Sequence, residues 1–130
     1  SISPIDGNRP TFTLAKIDPT SATLIDYTVI ESSNLTGIDA TWAPSYSYSS
    51  TFHQPAFDAA SLSILITSFQ SDPSAQTPSS QSYLHNFFPG DLSPILRLVW
   101  PQYACSLNHT SAAAFTACAC PNTPTPAPTQ

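Results

Sequence analysis

Residues 11–17 are rich in β-branched and aromatic positions, and the strand pattern resumes over residues 22–30, where Ile25, Tyr27 and Val29 fall on one face. Between them, Asp18-Pro19-Thr20-Ser21 puts Asp first and Pro second, as a type I turn prefers. The spacing predicts a β-hairpin. Residues 37–50 read as irregular, with Trp42, Tyr46 and Tyr48 as packing anchors.

The period then changes. Leu62, Leu65, Ile66 and Phe69 recur at i, i+3, i+4 and i+7, one apolar stripe of a helix. Asp58 is placed to cap it, Phe57 to pack just ahead of the cap, and Asp72-Pro73 to end it. Residues 79–88 form a shorter helical candidate. Ser93-Pro94 suits a helix start, with Ile95, Leu98 and Val99 as its apolar face and Pro101 as its kink or end. Residues 112–118 have room for a final helical turn or two. Strands followed by helices predict an α+β chain. Its expected divisions are residues 1–50 for the terminal strands and a connecting segment, 51–120 for a helical subdomain, and 121–130 for a Pro/Thr-rich tail.

Composition narrows the function classes. Only 8% of the residues are charged and the net charge is −5, with Arg9, Lys16 and Arg97 the three strong cations. That leaves no basic cluster to displace counterions from a nucleic acid or to hold an anionic membrane. No apolar run is long enough to predict a transmembrane segment. The fourteen prolines work against long regular elements.

The sequons Asn34-Leu35-Thr36 and Asn108-His109-Thr110, three clustered cysteines and the Pro/Thr tail together predict a secreted, extracellular protein. Ser1 is then expected to be a processed start. Cys105 and Cys118 are far enough apart to close a loop. Cys118 and Cys120 are too close to bridge without strain, so the predicted disulfide is Cys105–Cys118, with Cys120 joined to something outside this sequence.

Catalytic chemistry is hard to find. Gly7, Gly37 and Gly90 are too dispersed for a nucleophile elbow, a phosphate loop or a dinucleotide fingerprint. His53, His85 and His109 each lack a second ligand at metal spacing on one helix face. A zinc site from His109, Cys118 and Cys120 can be drawn, but an oxidising compartment favours a disulfide. Asp26 and Glu31 have the chemistry of an acid/base pair, with nothing in the sequence to bring them to a shared cleft.

The order of several segments nevertheless suggests a family. Ser1-Ile2-Ser3-Pro4, Asn8-Arg9-Pro10-Thr11-Phe12-Thr13-Leu14, Ile17-Asp18-Pro19 and Leu24-Ile25-Asp26-Tyr27 are followed by an aromatic stretch over residues 42–48. The helical segments and the cysteines Cys105 to Cys120 come after them. This succession, spanning residues 1–120, resembles the end of the catalytic domain and the C-terminal region of acid sphingomyelinase-like phosphodiesterases, within the calcineurin-like metallophosphoesterases. No single motif in it is specific; the order carries the resemblance.

The resemblance implies a hairpin that completes the sheet of a larger metallophosphoesterase α/β sandwich, followed by a small helical, disulfide-bearing subdomain. Two divalent metals, zinc by expectation, would be bound by an upstream catalytic chain of the same precursor and not by this one. The substrate would be a phosphoester. Ser3, Asp6, Gly7 and Asn8 are the positions expected near the rim of the active-site mouth, and none of them is a catalytic candidate. Phe12, Leu14, Ile25, Tyr27 and Val29 would be buried against the other chain. From a different class, the composition also suits an independent secreted cell-wall or interaction module without activity. A disulfide-stapled inhibitor is a weaker third reading, disfavoured by the odd cysteine count.

The compartment reading makes a direct prediction: Asn34 and Asn108 both carry glycans when the chain passes through a eukaryotic secretory pathway. Endoglycosidase treatment should lower the mass of the chain in two steps. An unchanged mass removes the main support for secretion.

Overall fold

The computed structural model describes residues 8–87 and 94–120. It is an α+β arrangement: a three-stranded antiparallel sheet followed by six helices. β1 (Thr11–Asp18) and β2 (Thr23–Ser32) form the expected hairpin, with Phe12 opposite Ile30 and Ala15 opposite Tyr27. The Asp18 carboxylate accepts the Thr20 and Ser21 N–H groups at 2.8 and 3.4 Å, which closes the turn.

Residues 37–50 are not irregular throughout. β3 (Trp42–Ser47) pairs with the far side of β2, making β2 the central strand. Pro44 obscures this in the sequence because it has no N–H to give to a ladder. It is accommodated on an edge strand, where the register shifts between Val29 and Ile30. The β2–β3 connection turns on Asn34, whose side-chain oxygen accepts the N–H groups of Thr36 and Gly37 at 3.1 and 2.8 Å. Gly37 follows at φ 70°, a left-handed conformation natural to glycine.

Serine and aspartate caps set the helix starts. Ser47 caps α1 (Tyr48–Phe52) and Asp58 caps α2 (Ala59–Gln70), the latter by accepting the Ser61 N–H at 2.7 Å. Leu65 and Phe69 are buried along α2 and Leu62 packs at their margin, as the stripe predicts. α3 (Pro78–Phe87) buries Ser80 and Leu84.

The next run departs from expectation. α4 (Pro94–Leu98) gives way at Val99 to α5 (Trp100–Ser106), and Pro101 stands in the first turn of α5, where its missing N–H costs nothing. The buried residues here are Leu96, Trp100, Ala104 and Cys105. Leu98 and Val99 are exposed, and the Ile95 side chain lies outside the described residues. A break between two short helices changes the phase of the stripe, so a single periodicity across it misassigns the face. Ser111 caps α6 (Ala112–Ala119), which buries no residue.

The core is largely aromatic. Phe69 and Tyr83 pack on Trp100 with ring centroids 5.3 and 5.8 Å away. The contacts continue from Phe69 through Phe52 and Tyr48 to Tyr27 of the sheet. Tyr27 and the buried Val29 therefore belong to the chain's own core-facing side, contrary to the expectation that another chain covers them. Ile25 remains 37% exposed. Phe12 and Leu14 occupy the opposite sheet face and are 41% and 55% exposed.

Asp72 ties α2, α3 and α5 together. Its carboxylate accepts the Gln76 and Thr77 N–H groups at 2.9 and 2.8 Å, while its backbone carbonyl accepts the Trp100 indole N–H at 2.9 Å. Burial acts to raise its pKa, but the donors outweigh that and hold it at about 2. A depressed value means the stabilisation is present above the unfolded-state pKa and is lost as pH falls from about 4 towards 2. Asp72→Ala should therefore cost about 2 kcal/mol at neutral pH, through orphaned donors, and much less at pH 2. Thermal melts at both pH values check this; an equal loss at both would contradict it.

Cys105 and Cys118 form a disulfide with Cα atoms 5.8 Å apart. Because α6 buries nothing, this bond is its principal anchor to α5. Replacing both cysteines with serine should cost about 3 kcal/mol in the loop-entropy account. Hydrogen exchange in α6 should accelerate most, and Trp100 should keep its near-ultraviolet signal.

Candidate functional site

The expected rim residues are only partly visible. Ser3, Asp6 and Gly7 lie outside the described residues, and Asn8 is buried just ahead of β1. Beside it, Arg9 pairs with Glu31 at 3.2 Å and Ser45 donates to the other Glu31 oxygen at 2.9 Å. These groups border a shallow recess of about 200 Å³.

Asp26 and Glu31 do not converge. Residues five apart on one strand point to opposite faces. Asp26 is held instead by the Ser49 N–H and hydroxyl, at 3.1 and 2.5 Å. Desolvation acts to raise its pKa, and the Ser49 bonds, with Lys16 nearby, bring it below the ordinary value. Asp18 and Asp58 are likewise lowered, each by backbone N–H groups that it accepts. These carboxylates act as structural acceptors, which leaves them poorly suited to take up a substrate proton.

The drawn zinc site fails on its sulfur ligand, because Cys118 is in the disulfide. Among the described residues no three His, Cys, Asp or Glu side chains gather as a metal group. The two sequons differ in setting. The Asn34 amide donates to the Ile38 carbonyl at 3.0 Å, whereas exposed Asn108 uses its oxygen to accept from Gln70 at 2.7 Å.

One cleft lies where the sheet meets the helices and another between two helices. The first, of about 270 Å³, is walled by Tyr27, Tyr46, Phe52, Tyr83 and Phe87, with Asn86 as its polar member. Burial raises the Tyr27 hydroxyl to about 12, with Tyr46, Tyr48 and Asp26 adding to it. Burial also raises Tyr46 and Tyr83; Tyr83 is further held by a 2.7 Å hydroxyl–hydroxyl bond to Tyr103. These phenols stay neutral and serve as packing and hydrogen-bonding groups. The neighbouring Tyr48 hydroxyl is enclosed with no hydrogen-bond partner.

The second cleft, of about 540 Å³, lies between α1 and α3 and contains both His53 and His85. The sequence offers no signal for this pairing. The two histidines stand on different elements and line one groove because Phe52 and Leu84, each next in sequence to one of them, are buried in the same core. His109 lies apart, after α5.

No protein-family model, curated protein or solved structure matches the chain.

No described helix is long and apolar enough to cross a membrane.

Proposed function

We propose that this chain is the non-catalytic C-terminal portion of a secreted, metal-dependent phosphoesterase. Its dinuclear site, zinc by preference, would be carried by a preceding catalytic chain of the same precursor. The observation that carries the proposal is the uncovered apolar surface of the sheet. Phe12, Leu14 and Trp42 are 41%, 55% and 44% exposed, and Phe12 and Trp42 pack against each other in a tilted pair at a 5.4 Å centroid distance. From Phe12 onward, the outer edge of β1 pairs with no strand among the described residues. Apolar side chains beside an open strand edge favour continuation of the sheet onto further polypeptide. The order of segments in the sequence supplies the phosphoesterase identity of that polypeptide.

On this reading the chain closes the sheet edge, and its helices flank the mouth of the site. The two metal ions would activate a water against a phosphoester and offset the charge that develops. This chain's own contribution is burial of the Phe12, Leu14 and Trp42 surface.

The test uses native material. A larger companion chain should copurify, and the assembly should hydrolyse a chromogenic phosphodiester. Chelation should abolish that activity and zinc should restore it. Leu14→Glu should weaken the association by about tenfold or more, since a buried charge replaces a buried aliphatic group. A sharply melting monomer of this chain as the sole species, without metal-dependent hydrolysis, would establish the independent secreted module instead. The closed core around the fully buried Trp100 favours that second reading.

A further inference from the structure

The groove between α1 and α3 is unlike the rest of the surface. His53 stands at the left-handed C-cap of α1 at φ 53°, and His85 lies in the last turn of α3. Thr51, Ser82 and Asn86 line the same groove of about 540 Å³. Among the described residues, none of the hydrogen bonds uses these five polar side chains. Two imidazoles, two hydroxyls and a carboxamide thus face one space with their donors unspent.

Among the described residues no carboxylate lines the groove, although the chain has eight acidic residues against three Lys and Arg. The acids of the surrounding elements are engaged elsewhere. Asp26 is bound by Ser49, Glu31 by Arg9 and Ser45, Asp58 by Ser61, and Asp72 by the Gln76 and Thr77 N–H groups. Protonation of the imidazoles would therefore place two positive charges together without a counter-charge among the described residues of the groove.

We propose that this groove binds a tetrahedral oxyanion, a phosphate- or sulfate-type group, between protonated His53 and His85. Thr51, Ser82 and Asn86 supply the neutral hydrogen bonds. Two imidazoles without a third ligating side chain do not make up a metal's coordination set, whereas a polyatomic anion accepts hydrogen bonds from hydroxyl, amide and imidazole donors alike. The proposal is independent of the phosphoesterase reading, since it needs only residues of this chain.

The experiment follows the imidazole signals of the full chain by nuclear magnetic resonance while inorganic phosphate is added at constant ionic strength set with chloride. The three histidines make the reading direct. At pH 5.5, His53 and His85 should shift together and saturably, with His109 unmoved. Sulfate should shift the same two imidazoles and again leave His109 unmoved. His53→Asn, which tolerates the left-handed backbone, and His85→Gln should each weaken binding about tenfold while the melting temperature is kept. Equal shifts at all three histidines, the same response to chloride, or undiminished binding in either variant would overturn the proposal. The wild-type titration decides the matter even if a variant unfolds.

Discussion

Burial of the Trp100 indole is the constraint on which the helical half depends. The ring is wholly enclosed, with Phe69 and Tyr83 against it. An enclosed indole N–H without an acceptor is costly, and the Asp72 carbonyl supplies that acceptor at 2.9 Å. The carbonyl is in position because the Asp72 carboxylate is fixed by the two N–H groups entering α3. One residue thereby ends α2, starts α3 and orients α5. The aromatic contacts that run outward through Phe52 and Tyr48 to Tyr27 carry the same packing to the sheet.

Scarcity of charge shapes the rest. With 8% of residues charged, the few carboxylates are used where the backbone most needs an acceptor, in the turn at Asp18, the cap at Asp58 and the junction at Asp72. Such a carboxylate is stabilised in its ionised form and resists protonation. Polar chemistry among the described residues is left largely to neutral hydroxyls, amides and imidazoles, several of which gather in the groove that holds His53 and His85.

The sheet has two unlike faces. One is covered by the chain's own aromatic residues, with Phe57 reaching back to donate its N–H to the Ile25 carbonyl at 3.2 Å. The other leaves Phe12, Leu14 and Trp42 in contact with solvent. An antiparallel sheet tolerates one wet face, but that face is ordinarily polar. Its apolar character here motivates the assignment of a larger assembly.

Local signals in the sequence determined the hairpin, the Asp18 turn, the Asp58 cap, the α2 stripe and the Cys105–Cys118 bridge. Each depends on neighbouring residues or on loop closure, so each is written in the order of the chain. The third strand was hidden because Pro44 breaks the local pattern, and only pairing with β2 makes up for it. The apolar face near Pro101 was misread because the break at Val99 shifts the helical phase. Which side of the sheet is covered, and that His53 and His85 line one groove, were decided by tertiary structure alone. Both follow from how distant aromatic side chains share one core, and no spacing along the chain encodes that.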